Sequence, residues 1–171
     1  MELWDLYTGE RVLSGKTMTR GEGIPQGYYH LVVHLVLFNS KGEMLVQHRQ
    51  PFKAGWPDMW DVTVGGSAVA GETTQEAVAR ETREEIGLDL DFSREMPVLT
   101  KNFEGGFDDI YIVNRDVDLD SLTLQYEEVA EVKWASLAEV LRMLKDGEFI
   151  PYRENFIKLL FDLGEDRRTV I

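Results

Sequence analysis

Glu81, Glu84 and Glu85 sit three and four residues apart in the stretch Arg80 to Leu88, RETREEIGL. On a helix those spacings bring side chains next to one another. Carboxylates held that close repel one another unless a cation lies among them. A hard divalent ion such as Mg2+ takes oxygen ligands and completes its shell with water and substrate phosphates. The pattern therefore points to metal-assisted chemistry on a phosphorylated substrate. The competing reading is a solvated acidic helix face, a common feature of surface helices.

The surrounding sequence supplies elements to position these groups. Thr73 and Glu76 have capping-box spacing, and Gly87 is a natural C-cap, so a helix is predicted between them. Val78, Thr82 and Ile86 form its core-facing stripe, with the glutamates beside it. Ahead of the helix, Trp60 to Val64 reads as a short strand that ends at Gly65-Gly66, where the backbone can approach a phosphate or a metal closely; a simple strand-end turn is the alternative. Leu3 to Tyr7 and Arg11 to Leu13 suggest a hairpin, and Ser14 to Gly27 a loop. Tyr28 to Phe38 and Met44 to Arg49 read as strands around the turn Asn39 to Gly42. Gln50 to Met59, with two prolines, reads as a loop. Leu88 to Phe103 and Phe107 to Asn114 read as strands joined through Glu104-Gly105-Gly106, and Val129 to Trp134 as a late strand. Ser136 and Glu139 cap a helix running to about Lys145. Asn155 to Leu163 forms a last one. Strands and helices in this order suit a mixed sheet between helices.

The stretch Gly66 to Leu88 resembles the Nudix box, the signature of diphosphate-cleaving hydrolases. The matching positions are Gly66, Glu72, Arg80, Glu81, Glu84, Glu85, Ile86, Gly87 and Leu88. Thr82 stands where the family has an aliphatic residue, a departure that bears on packing. The resemblance implies an α/β/α sandwich with a mixed β-sheet. It also implies one Nudix hydrolase domain over residues 1–171, residues 1–27 being an N-terminal hairpin and loop. By the same resemblance Glu81 and Glu85 are the main Mg2+ ligands, with Glu84 assisting and Mn2+ as the alternative ion. The Gly65 carbonyl is a metal ligand in many relatives. Glu72 and Arg80 orient the loop, and Glu128, in a late acidic loop with Glu127, is an extra ligand or base; an exposed surface glutamate is the other reading of Glu128. Catalysis then falls to Glu81, Glu84, Glu85 and Glu128. Dimers are frequent in the family, so a homodimer is compatible with it.

A second resemblance covers Tyr28 to Arg49 and Trp56 to Gly66, which are similar to the type I isopentenyl diphosphate isomerases. His30 matches a metal-binding histidine there. Gly65 stands where the isomerase has its catalytic cysteine, and Ser67 where it has another metal-binding histidine. Without a thiol the isomerase chemistry lacks a principal actor. An isomerase-like protein and a non-catalytic nucleotide-binding module are the alternatives to a hydrolase. The expected substrate is a nucleoside diphosphate or a metabolite linked to one.

Arg49 and Lys53 are candidates for contacting substrate phosphate or are plain surface charges. His30, His34 and His48 read as core or edge histidines. Tyr28, Phe52, Trp56, Trp60, Phe103 and Phe107 include loop aromatics of the kind that stack on a ring. Asp116, Asp118, Asp120 and Glu127 fall at positions 1, 3, 5 and 12 of an EF-hand loop. Ser121 replaces its turn glycine, and Asp109 to Val113 reads as strand, so no calcium site is expected.

Composition bounds the rest. The chain has 171 residues, 43% hydrophobic and 29% charged, ordinary values for a soluble globular protein. It has no cysteine, which removes disulfides and thiolate chemistry and fits a reducing, cytoplasmic location. Its longest apolar run, Leu31 to Phe38, has strand length, and nothing approaches a membrane span. A net charge of −13 argues against nucleic acid as a partner. The expected partner is a small-molecule diphosphate, reached through a bound cation.

Overall fold

The computed structural model describes residues 2–169. The elements are β1 (Leu3–Tyr7), β2 (Leu13–Thr19), β3 (His30–Phe38), β4 (Met44–Arg49), β5 (Trp60–Asp61), β6 (Val64–Ser67), α1 (Thr74–Ile86), β7 (Leu99–Phe103), β8 (Gly106–Asn114), β9 (Val129–Ala135), α2 (Leu137–Asp146) and α3 (Glu154–Thr169). The mixed α/β fold has a hairpin of β1 and β2 and a seven-stranded sheet in the order β5-β4-β3-β8-β7, with β6 paired to β3 and β9 to β4. Two compact units divide the chain, and β3, β6, α1 and β8 run through both.

The first unit comprises Met1–His34, Gly65–Glu81 and Leu90–Tyr111. Its hairpin aligns Trp4 with Met18 and Leu6 with Lys16, which turns Leu6 and Met18 inward. The loop expected from Ser14 onward is therefore strand as far as Thr19. Its glycine and lysine are poor strand formers, but pairing with β1 gives their backbone groups partners, and pairing outweighs propensity. β7 and β8 form a hairpin from Leu99↔Ile110 to Phe103↔Gly106, its turn made by Gly105 at φ 87°. Residues 88–98 are not strand. Asp91 accepts the Ser93 N–H in a local turn, and Phe92, 2% exposed, anchors the segment against Tyr111.

α1 begins in this unit with reciprocal capping. Glu76 accepts from the Thr73 N–H at 2.8 Å, and Thr73 Oγ1 accepts from the Glu76 N–H at 3.2 Å. The Thr73 N–H and hydroxyl both donate to the Glu76 carboxylate and hold its pKa below the usual range. Val78, Thr82 and Ile86 are all fully buried. Gly87 ends the helix at φ 69°, a left-handed conformation.

His30 is a core residue of the first unit. It is 6% exposed, stacked on Trp4 at 4.3 Å and set edge-on to Phe103 at 5.9 Å. Its Nδ1 is buried without a hydrogen-bond partner.

The second unit comprises Leu35–Val64, Thr82–Asp89 and Ile112–Ile171. β4 aligns with β9 from Met44↔Ala135 to Arg49↔Val129 and with β5 through Gln47↔Asp61. Leu35 to Phe38 and Met44 to Val46 are at most 1% exposed and form its core. The single strand expected over Trp60 to Val64 is broken in two, and β6 runs on through Gly65-Gly66 to Ser67. The cause is local. Asp61 takes the Val62 N–H, while Thr63 Oγ1 accepts from the Leu37 N–H and donates to the Leu45 carbonyl. Side chains replace ladder bonds there. Ser136 caps α2 by accepting from the Glu139 N–H, and Gly147 closes it. α3 extends past the expected Leu163, beginning at Glu154. Gly164 faces Phe38: a methyl group on it would lie 2.5 Å from the ring.

Burial lowers the His30 pKa below its ordinary 6.5. The folded protein thus keeps His30 neutral at a pH where the unfolded chain takes up a proton. Its contribution is complete above pH 6.5 and is lost as pH falls from there toward the folded value. Urea unfolding between pH 8 and pH 5 is expected to show stability falling faster in the unaltered protein than in His30→Gln, by up to about 1.4 kcal/mol per pH unit.

Candidate active site

In the first unit, the end of β6, the segment after it and the middle of α1 are tied by one side chain. Arg80 donates from Nε to Glu72 Oε1 at 2.7 Å and from Nη2 to Glu72 Oε2 at 2.9 Å, a two-pronged pair. Nη2 also reaches the Ser67 carbonyl at 3.1 Å, and Nη1 reaches Glu81 Oε1 at 2.9 Å. The hydrogen bond to Glu72, then Glu81, raises the Arg80 pKa further, so it stays charged at every relevant pH. Gly66 rests directly on Glu81: a methyl group there would lie 2.2 Å from the carboxyl. Gly65 rests in the same way on His34, 2.7 Å from Nε2. His34 Nδ1 in turn donates to Asp108 Oδ1 at 2.7 Å.

In the second unit, Glu84 is exposed and Glu85 is 3% exposed. Glu85 Oε2 accepts from Gln47 Nε2 at 3.0 Å, and its backbone carbonyl accepts from the Gln125 N–H at 2.9 Å. That bond fastens the late loop to the end of α1. Glu128 and Lys53 pair at 2.5 Å. Arg49 donates twice to the Gly55 carbonyl, at 3.2 and 3.1 Å, and lies 3.9 Å from Asp61. Phe52 and Tyr126, both exposed, stand beside the Lys53–Glu128 pair in sequence, with ring centroids 5.8 Å apart.

The structure thus gathers Gly65, Gly66, Glu72, Arg80 and Glu81 in one unit and joins Lys53 to Glu128 in the other. Among the described residues, no three His, Asp or Glu side chains are already gathered as an ion shell. The donors nevertheless suit Mg2+: carboxylates on one helix, with a glycine backbone that takes Glu81 against it, are hard oxygen ligands. Asp118 accepts from the Asp120 N–H, and Asp116 from the Ser40 N–H, so two acids of the EF-hand pattern serve as turn caps. The His34–Asp108 pair and the Gln47 contact to Glu85 were not legible in the sequence; His34 and Asp108 are 74 residues apart and no local spacing links them.

Residues 28–159 match the NUDIX domain. The chain belongs to the Nudix family. It is similar to an uncharacterized Nudix hydrolase of Listeria monocytogenes, 46% identical over 163 residues, 95% of either chain. A prenyl-diphosphate phosphatase of Methanosarcina mazei is 30% identical over 138 residues, 77% of this chain and 80% of its own. The isopentenyl-diphosphate isomerase of Escherichia coli is 32% identical over 120 residues, 66% of this chain and 65% of its own. The Deinococcus radiodurans protein DR0079 shares the fold, with TM-score 0.73 at 23% identity over 93% of this chain and 97% of its own. This Nudix chain is a hydrolase of a family that acts on diphosphate bonds. No helix among its described residues is long and apolar enough to cross a membrane.

Replacing Arg80 by Met removes a charge-assisted pair and leaves Glu72 and Glu81 without it. Urea unfolding is expected to show a loss of about 1–3 kcal/mol, and Glu72→Gln a smaller one.

Proposed function

We propose that the protein is a Mg2+-dependent hydrolase that cleaves a diphosphate linkage in a nucleoside diphosphate or a metabolite linked to one, acting in the cytoplasm. The observation that carries this reading is the complete box carboxylate set on α1, with Gly66 packed on the Glu81 carboxyl. Glu81, Glu84, Glu85 and the Gly65 carbonyl would hold the ion. When bound, Mg2+ neutralises the diphosphate, supplies a polarised water and stabilises the leaving phosphate. Arg80 keeps the loop and Glu81 in register. Gln47 holds the Glu85 carboxylate in one orientation. Lys53 and Arg49 meet substrate phosphate, and Lys53 exchanges Glu128 for it, leaving the Glu128 carboxylate to take a proton or add a ligand.

A cavity of about 650 Å3 in the first unit suits the organic part of the substrate. Tyr28 and Phe103 give it ring faces, and Gln26 and Glu104 give it polar edges. Phe103 meets His30, and Gly65 meets His34. His30 and His34 stand four residues apart on β3, about 13 Å along the strand. A base, a sugar and two phosphates bridge that span.

A prenyl diphosphate is the second reading. Exposed Phe52 and Tyr126 flank the Lys53–Glu128 pair, and one relative is a prenyl-diphosphate phosphatase. An isomerase is disfavoured because Gly65 has no thiol.

The test is product release read by mass spectrometry, with Mg2+ and a panel of nucleoside di- and triphosphates, nucleotide sugars, dinucleotides, and prenyl and isopentenyl diphosphates. A nucleotide product that falls at least about 100-fold in Glu85→Gln, and disappears with EDTA, is the expected outcome. Turnover of the prenyl substrates alone would move the assignment to the second reading. No product from any member, with binding intact, would leave a binding module.

A further inference from the structure

His34 and Asp108 form a polar pair that the box does not include. Their side chains are 19% and 8% exposed. An ionised carboxylate only accepts, so the 2.7 Å contact places the hydrogen on His34 Nδ1 and fixes the rotation of the ring. The opposite edge of that ring lies against Gly65, where a methyl group would come within 2.7 Å of both Cδ2 and Nε2. Gly66 meets the Glu81 carboxyl at still closer range. The Cα positions of two successive glycines therefore face an oriented imidazole and a box carboxylate. Holding a polar pair out of water costs free energy that an apolar filler of the same volume would avoid. What the pair supplies and a leucine would not is a fixed ring plane against one peptide unit.

We propose that His34, oriented by Asp108, is a positioning residue that fixes the Gly65 peptide so that its carbonyl is presented to the metal. The proposal rests on the metal reading given above. His34 acts through the backbone of its neighbour, as outer partners of metal ligands commonly do. It also explains why residue 65 has no side chain: the imidazole fills that volume, so positions 34 and 65 are coupled.

The experiment is a titration of the full-length protein with Mn2+ in the absence of substrate, following the electron paramagnetic resonance signal of the free ion, with urea unfolding in parallel. His34→Gln and Asp108→Asn are each expected to weaken Mn2+ binding about tenfold or more. The apparent KM for Mg2+ in turnover should rise in step, while kcat at saturating Mg2+ falls less. Gly65→Ala should weaken Mn2+ binding as well, and adding His34→Ala should restore part of its lost stability, because the second change removes the ring that the new methyl group meets. If His34→Gln does not fold, Asp108→Asn carries the same test. Unchanged Mn2+ affinity in the folded variants, whatever the urea midpoint, overturns the proposal and leaves the pair as packing. If the unaltered protein takes up no Mn2+, the metal reading fails and the positioning role falls with it.

Discussion

One guanidinium holds the loop ahead of α1 to the helix that follows it. Arg80 spans the two oxygens of Glu72, the Ser67 carbonyl and the Glu81 carboxylate. Only a planar fork of fixed donors can meet all of these at once; a lysine would offer a single point charge. The contacts fix how Gly65 and Gly66 pass in front of the helix, and through Gly66 the placement of Glu81. They also offset the repulsion among acids gathered at one place. Loop geometry, carboxylate placement and local charge balance thus share one cause.

What was legible in the sequence was local. Thr73 with Glu76, Gly87, and Ser136 with Glu139 announce helix ends because a cap is made within four residues of its partner. The stripe of Val78, Thr82 and Ile86 announces a buried face by its period, and Thr82 is buried even though threonine is an unusual choice there. The box residues could be named because their types and spacings lie on one helix and the loop before it. What was not legible depends on partners far along the chain. Ser14 to Thr19 is strand because Leu3 to Leu6 lies beside it. The break at Val62-Thr63 follows from side-chain bonds to Leu37 and Leu45. Lys53 and Glu128 stand in segments far apart in sequence, and nothing in either segment says that they meet. The His34–Asp108 pair is of the same kind.

The acidity of the chain has a local counterpart. Arg80 is taken up by Glu72 and Glu81, Lys53 by Glu128, and Arg49 by the Gly55 carbonyl. Within the proposed function, a diphosphate would therefore arrive at cations that already have oxygen partners, on a protein of net charge −13. In that reading a divalent ion supplies the missing positive charge, and the side-chain pairs are exchanged rather than newly made.

The packing of α3 on β3 carries a further consequence. Gly164 lies inside a helix, where alanine is normally the better residue by about 1 kcal/mol. Yet the ring of Phe38 occupies the space its methyl group would need, and Asn114 donates to its carbonyl. Helix propensity and packing therefore pull in opposite directions at this position, and packing decides. The two positions are sterically coupled: a side chain at residue 164 needs a smaller or displaced ring at residue 38.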